Sequence, residues 1–161
     1  MSAQTILHRL HDNGRKTPNN PALYEKENGV WKAMTWAAYV KNVRQAAGAM
    51  IALGLGKGDI VTILGFNRSE WVIADLGIML AGGAAAGIYT SNSPGEVQYI
   101  AHHCESKMIV VEDEGQYNKV REEIANLPDL KYIVLMRRAK MPTDDPMAIR
   151  WDDFMAKGND V

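Results

Sequence analysis

The chain has 161 residues, about the length of one domain. Its 18 basic and 19 acidic residues leave a formal net charge of −1, which gives no electrostatic reason to expect nucleic acid as a partner. With 47% hydrophobic and 23% charged residues, the composition is that of a globular domain and excludes disorder over most of the chain. The single cysteine, Cys104, cannot form an internal disulfide, so we expect a reduced, cytoplasmic protein.

No leader or membrane-spanning segment is predicted. Polar and basic residues interrupt the apolar residues between Met1 and Arg15, so a signal-peptide core is missing and we expect the mature chain to begin as written. The longest apolar run, residues 76–89, is shorter than the roughly 20 residues that a membrane helix needs. We interpret it as a buried helix followed by a buried strand.

The first third of the chain predicts a hairpin and a long helix. Asn28-Gly29 suits the tight turn that joins two twisted strands. Apolar residues then recur at three- and four-residue steps, with Thr35 as a cap before the helix and Gly54 after it. The predicted elements here are a short helix around residues 6–10, strands 22–27 and 30–34, and a helix 36–53.

Beyond residue 58, short apolar strands alternate with helices. The predicted strands are 59–66, 84–89, 108–112 and 132–136; the predicted helices are 70–81, 94–105, 116–125 and 151–157, with a surface loop over 137–149. Asn67 and Glu70 have capping-box spacing at the start of the predicted helix 70–81. Such alternation predicts an α/β fold, a parallel sheet with helices on both faces. We divide the chain into an N-terminal helix and hairpin, 1–34, and an α/β subdomain, 35–161.

Two motifs that suggest ligands are better explained as structure. Gly54, Gly56 and Gly58 follow a helix and precede a strand, which is the reverse of a dinucleotide-binding loop. His102 and His103 are consecutive and point about 100° apart on a helix, so they cannot converge on one metal ion. No metal site is proposed.

The loop between the predicted strand 84–89 and the predicted helix 94–105 is the most informative local feature. Ser93-Pro94-Gly95-Glu96 predicts a capped helix start, and the hydroxyl-rich segment Tyr89 to Asn92 leaves the carboxyl end of a strand. Ligands of parallel sheets bind beyond such ends, but Glu96 opposes an anion there. The residues alone therefore favour a structural turn over a ligand loop. The glycines and alanines of 82–87 also demand close approach of another element, which indicates packing against more protein than this chain contains.

Several segments resemble the opening of the adenylate-forming acyl-CoA synthetases. The segments are Leu53-Gly54-Leu55-Gly56-Lys57-Gly58-Asp59-Ile60-Val61, Ile63-Leu64-Gly65-Phe66-Asn67 with Ser69-Glu70-Trp71, and Gly87-Ile88-Tyr89-Thr90-Ser91-Asn92-Ser93-Pro94. The last of them, with Gln98-Tyr99-Ile100-Ala101 and Asp153-Phe154-Met155, most resembles the bubblegum-type long-chain fatty acyl-CoA synthetases. The likeness extends from the hairpin to the C-terminus.

This resemblance implies a ligase that uses fatty acid, ATP, Mg²⁺ and coenzyme A. The phosphate loop, the ribose-binding aspartate and the catalytic lysine of such enzymes do not occur in this sequence. We therefore expect the N-terminal portion of a longer enzyme, inactive by itself. The resemblance implies a coenzyme A-binding role for Tyr89, Thr90 and Ser91; the basic residues that some relatives place after the next strand are not evident in residues 115–118.

A different class of function stays open at this point. A free-standing α/β binding or dimerisation module without catalysis would have the same fold. Peripheral membrane contact and a homodimer are also left open by the sequence.

Overall fold

The computed structural model describes residues 4–159. Residues 1–3 and 160–161, the outer ends of the predicted parts 1–34 and 35–161, lie outside the described range. The predicted boundary between residues 34 and 35 stays a prediction. The helices are α1 (Ile6–Lys16), α2 (Trp36–Ala52), α3 (Ser69–Leu80), α4 (Pro94–His103), α5 (Glu114–Glu122) and α6 (Trp151–Ala156). The strands are β1 (Pro21–Glu27), β2 (Val30–Thr35), β3 (Ile60–Leu64), β4 (Ala84–Ile88), β5 (Met108–Val111), β6 (Tyr132–Leu135) and β7 (Ala148–Arg150).

The predicted hairpin and long helix are confirmed. β1 pairs antiparallel with β2, and the turn between them places Asn28 and Gly29 at φ of 50° and 83°. Both angles are left-handed, which is the requirement that favours this residue pair. Thr35 accepts a hydrogen bond from the amide of Ala38 at the start of α2, and Gly54, with φ of 88°, follows its end.

The α/β architecture is also confirmed. One sheet has the strand order β4-β3-β5-β6-β7, and all its neighbouring strands are parallel. Alternate residues of β3 face opposite sides: Ile63 belongs to the core formed with α1, α2, α3 and α6, whereas Leu64 belongs to the core formed with α4 and α5. The central strands are therefore buried on both faces, as parallel strands with crossover helices require.

The predicted surface loop over residues 137–149 is wrong at its end. Ala148–Arg150 forms β7, which pairs with β6 through Ile133 and Leu135 and makes the sheet five strands wide instead of four. The strand has only three residues, so it carries too few side chains for an alternating pattern to show.

Two helix starts also differ from their predictions. The capping box between Asn67 and Glu70 is wrong, because Arg68 occupies the N-cap of α3 without a side-chain capping bond and Glu70 is turned into the protein. α5 begins at Glu114 rather than at residue 116, because Asp113 caps it by accepting a hydrogen bond from the amide of Gln116.

The close approach expected at the small residues of 82–87 is found at Gly83. A β-carbon at that position would lie 2.8 Å from the carbonyl oxygen of Asp59. Over residues 4–159, no helix has both the length and the apolar character needed to cross a bilayer.

Candidate functional site

The carboxyl edge of the sheet gathers the loops that follow β3, β4, β5 and β6. Because these strands are parallel neighbours, their carboxyl ends lie side by side and their loops meet at one edge. Ligands of open parallel sheets bind at such an edge. The side chains described below come from these loops, from the helices that follow them or from the hairpin.

The loop after β4 has a fixed backbone and free side chains. The amide of Asn92 donates to the carbonyl oxygen of Tyr89 at 3.1 Å, which closes a turn. Tyr89 is 82% exposed, Ser91 is exposed and Thr90 is half-buried. Within residues 4–159, none of these three side chains makes a hydrogen bond to another residue. Their polar atoms are thus available to a ligand.

The predicted capping box at the end of this loop is confirmed. The amide of Ser93 donates to Oε2 of Glu96 at 2.7 Å, and the amide of Glu96 donates to Oγ of Ser93 at 3.4 Å. The hydrogen bond from the Ser93 amide, together with that from its hydroxyl, holds the pKa of Glu96 below its usual value. The carboxylate is therefore already occupied by the helix start, which fixes where the loop ends.

An aromatic cleft lies between the loops that follow β3 and β4. It has a volume of about 420 Å³, and its lining includes Phe66, Trp71, Tyr89 and Thr90. Phe66 is 66% exposed, so it faces the cleft without being part of the core. Of the three sequence-predicted site residues, Tyr89 and Thr90 line this cleft and Ser91 does not. Exposed rings beside a cleft offer flat apolar surfaces on which a planar ring can stack.

Lys119, on α5, holds the loop that leads into the cleft. Its Nζ donates to the carbonyl oxygens of Thr90 and Asn92, at 2.7 and 2.8 Å. The sequence analysis did not indicate this residue, because residues 115–118, where a basic residue after β5 was expected, end one position before it. No local motif indicates this contact, because both partners of Lys119 are backbone carbonyl oxygens of a distant loop.

A buried carboxylate links the start of α3 to the end of β6. The Glu70 side chain is completely buried, and its Oε1 receives hydrogen bonds from Nη2 of Arg68 at 2.9 Å and Nε of Arg137 at 3.0 Å. Burial raises the pKa of Glu70, but a backbone hydrogen bond and the charges of Arg137 and Arg68 outweigh burial and lower the pKa overall. The carboxylate is ionised at neutral pH and serves to hold two arginines.

The acidic pair that ends β5 also has a structural role. Oε2 of Glu112 accepts a hydrogen bond from the amide of Phe66 at 2.9 Å, and Asp113 caps α5. Glu112 therefore fixes the backbone that carries one wall of the aromatic cleft. The carboxylates of this edge are engaged by arginines or amides, and residues 4–159 hold no cluster of three or more side chains suited to a metal ion. The donor set here does not fit Mg²⁺.

The hairpin is tied across this edge by Arg138. Its Nη2 lies 3.0 Å from Oε1 of Glu27 and 3.6 Å from Oε1 of Glu25, and its backbone adopts a left-handed φ of 73°. The Ser69 hydroxyl donates a further hydrogen bond to Glu25. A cavity of about 590 Å³ remains between the hairpin and the sheet edge, bordered by Trp31, Arg68 and other residues.

Comparison with known sequences gives consistent matches. Residues 10–156 match the family model of the AMP-binding enzymes. The long-chain-fatty-acid–CoA ligase ACSBG2 of Xenopus laevis is 38% identical over 157 residues, which cover 98% of this chain and 21% of that relative. The long-chain-fatty-acid–CoA ligase ACSBG1 of Homo sapiens is 37% identical over 142 residues, covering 87% of this chain and 19% of the relative. The chain thus spans about a fifth of the length of these curated relatives.

Solved structures share the fold. An anthranilate CoA ligase, AuaEII, crystallised with anthranoyl-AMP, has a TM-score of 0.73 and 28% identity, with 80% of this chain and 24% of that chain covered. A mutant form of coronafacic acid ligase from Pectobacterium brasiliense has a TM-score of 0.83 at 14% identity, with 95% of this chain and 29% of that chain covered.

Proposed function

Because this chain belongs to the family of AMP-binding enzymes, we propose that it forms the amino-terminal part of an ATP-dependent long-chain fatty acid–CoA ligase. The observation that carries the proposal is the 38% identity, over almost the whole chain, to a protein named as such a ligase. In the first step of this reaction, the fatty acid carboxylate attacks the α-phosphate of ATP, giving an acyl-adenylate and releasing pyrophosphate. In the second step, the thiol of coenzyme A attacks the acyl carbonyl and displaces AMP.

The chain's contribution to this reaction is a scaffold and one face of a binding site. The phosphate loop, the ribose-binding aspartate and the catalytic lysine that the reaction needs are not found in its sequence. The carboxylates of the sheet edge are committed to Arg68, Arg137 and backbone amides, so ATP and its metal would be held by other parts of the enzyme. We therefore expect these 161 residues alone to be inactive.

The loop that contains Tyr89, Thr90 and Ser91 is the proposed contact for the nucleotide end of coenzyme A. Three features support this role: the loop lies at the carboxyl edge, its side chains have no protein hydrogen-bond partners among residues 4–159, and it borders an aromatic cleft. Coenzyme A, when bound, supplies the thiol of the second step. Tyr89 and Phe66 would stack on a planar ring, while Thr90 and Ser91 would offer hydroxyl hydrogen bonds.

Two assays test the proposal on the full-length gene product. ATP–pyrophosphate exchange that depends on palmitate, followed by palmitoyl-CoA formation, is the expected result; acetate in place of palmitate is the control for chain length. The 161-residue chain should show neither activity. A full-length product that folds but exchanges no pyrophosphate with any fatty acid would favour the non-catalytic module, and activity of the short chain would contradict its assignment as scaffold.

A further inference from the structure

We propose that Lys119 is a positioning residue for the coenzyme A step: it holds the loop of Tyr89 to Asn92 in the conformation that receives the ligand. This inference rests on the proposed function. Its structural basis is the bridge from one ammonium group to two carbonyl oxygens, those of Thr90 and Asn92. The two carbonyls are separated by one residue, so the bridge fixes the backbone on both sides of Ser91.

The hydrogen-bond partners of Lys119 distinguish it from the ion-paired lysines of the chain. Lys16 and Lys107 each face an aspartate, and Lys32 pairs with Glu27. In the stretch from residue 4 to residue 159, no carboxylate lies within 4.0 Å of Lys119, and its hydrogen bonds go to the loop carbonyls. Hydrogen bonds from an ammonium are stronger than those from a neutral donor, so this lysine is committed to the loop backbone.

The loop is consequently anchored at both sides while its side chains stay free. Lys119 fixes the backbone around Ser91, and the capping box of Ser93 and Glu96 fixes the start of α4. A loop ordered before binding spares the ligand the entropic cost of ordering it. Loss of the Lys119 bridge should therefore weaken binding of coenzyme A and leave the first half-reaction, which does not use this ligand, unchanged.

The decisive experiment compares full-length Lys119→Met with the wild type and with Lys41→Met, a control at an exposed helical lysine that makes no side-chain hydrogen bond or ion pair among the described residues. We expect KM for coenzyme A to rise about tenfold in Lys119→Met, because coenzyme A must then order the loop as it binds. Palmitate-dependent ATP–pyrophosphate exchange and kcat at saturating coenzyme A should stay at wild-type values. Lys119→Arg, which retains a charged donor group, should recover part of the loss.

Amide hydrogen exchange supplies a readout that needs no catalysis. In Lys119→Met, the amides of the 89–92 segment should exchange faster than in the wild type, while those of β3 and β5 should not change. An unchanged KM for coenzyme A in an active enzyme would overturn the proposal, as would an equal loss of pyrophosphate exchange. If the wild type proves to have no ligase activity, the proposed function fails, and unchanged exchange of the loop amides would then refute the positioning role separately.

Discussion

Nε of Arg137 lies 3.0 Å from Oε1 of Glu70, a carboxylate that is completely buried at the start of α3. Arg137 follows β6 and Glu70 follows β3, and β5 separates these two strands in the sheet. The ion pair therefore crosses the carboxyl end of β5 and joins the start of α3 directly to the segment that follows β6. Arg68 completes the arrangement, since its Nη2 contacts both the same Glu70 oxygen and the carbonyl oxygen of Arg137.

The first prediction concerns the dependence of stability on pH. The pKa of Glu70 is lower in the folded chain than its ordinary value of 4.5, so ionised Glu70 stabilises the fold above that pH. This stabilisation should be lost as the pH falls from about 5 through the lowered pKa. The difference in free energy of unfolding between the wild type and Glu70→Gln, measured by urea denaturation, should shrink over this range. A difference that stays constant from pH 7 to pH 3.5 would contradict the assignment.

The second prediction separates the partners of this buried pair. Glu70→Ala removes the carboxylate that Arg68 and Arg137 share, and breaking such a buried pair should cost about 3 kcal/mol. Arg137→Met should cost less, because the Arg137 side chain is partly exposed and Arg68 remains beside Glu70. Chemical denaturation of both variants checks this order. Equal losses would mean that the contact with Arg137 alone supports the buried charge.

The third prediction concerns the attachment of the hairpin. Arg138→Ala removes the ion pairs to Glu25 and Glu27, which are solvent-screened and contribute little to global stability. We therefore expect little change in melting temperature but faster amide exchange in β1 and β2. Lys140→Ala, which removes an exposed pair with Glu114, is the matched control and should not affect the hairpin. Unchanged exchange in β1 and β2 would show that apolar packing alone holds them.

The fourth prediction compares two helical glycines. A β-carbon on Gly77 would lie 2.9 Å from Cβ of Ala46, at the contact between α3 and α2, whereas one on Gly95 would meet nothing within 4 Å. Gly77→Ala should lower the free energy of unfolding by about 1–3 kcal/mol through overpacking. Gly95→Ala should raise it by a few tenths to about 1 kcal/mol through helix propensity. If both substitutions stabilise the chain, the two helices are not in tight contact at Gly77.

The sequence was most informative where a local rule determined the structure. The Asn28-Gly29 turn, the Thr35 cap and the capping box of Ser93 and Glu96 each depend on neighbouring residues, and all three are confirmed. Buried strands of four or five branched residues were recognisable for the same reason. β7 was missed because three residues leave no periodic signal, and its position depends on pairing with β6.

Long-range ion pairs could not be predicted in the same way. Glu70 has the spacing of a capping glutamate, but its partner Arg137 is 67 residues away and determines its orientation. Lys119 was missed because its partners, Thr90 and Asn92, are 27 to 29 residues away and are backbone atoms, which no side-chain motif indicates. The family resemblance implied Tyr89, Thr90 and Ser91 as one site, but only geometry separates the two that line the cleft from the one that does not.

The last prediction follows from the aromatic residues exposed along the sheet edge and hairpin. Phe66 and Tyr89 flank the cleft, and Trp31 on the hairpin is 64% exposed. Exposed apolar surface of this kind binds hydrophobic dyes and promotes association. The folded 161-residue chain should therefore enhance anilinonaphthalene sulfonate fluorescence, and the double variant Phe66→Ser, Tyr89→Ser should reduce the enhancement by about half. Ile51→Ser, at an exposed apolar position on α2, is the control for general loss of apolar surface.

Because the rings of Phe66 and Tyr89 are mostly outside the core, the circular dichroism spectrum and the melting temperature of the double variant should not change. If a folded, monomeric wild-type chain does not enhance the fluorescence of the dye, these rings do not form a continuous apolar surface.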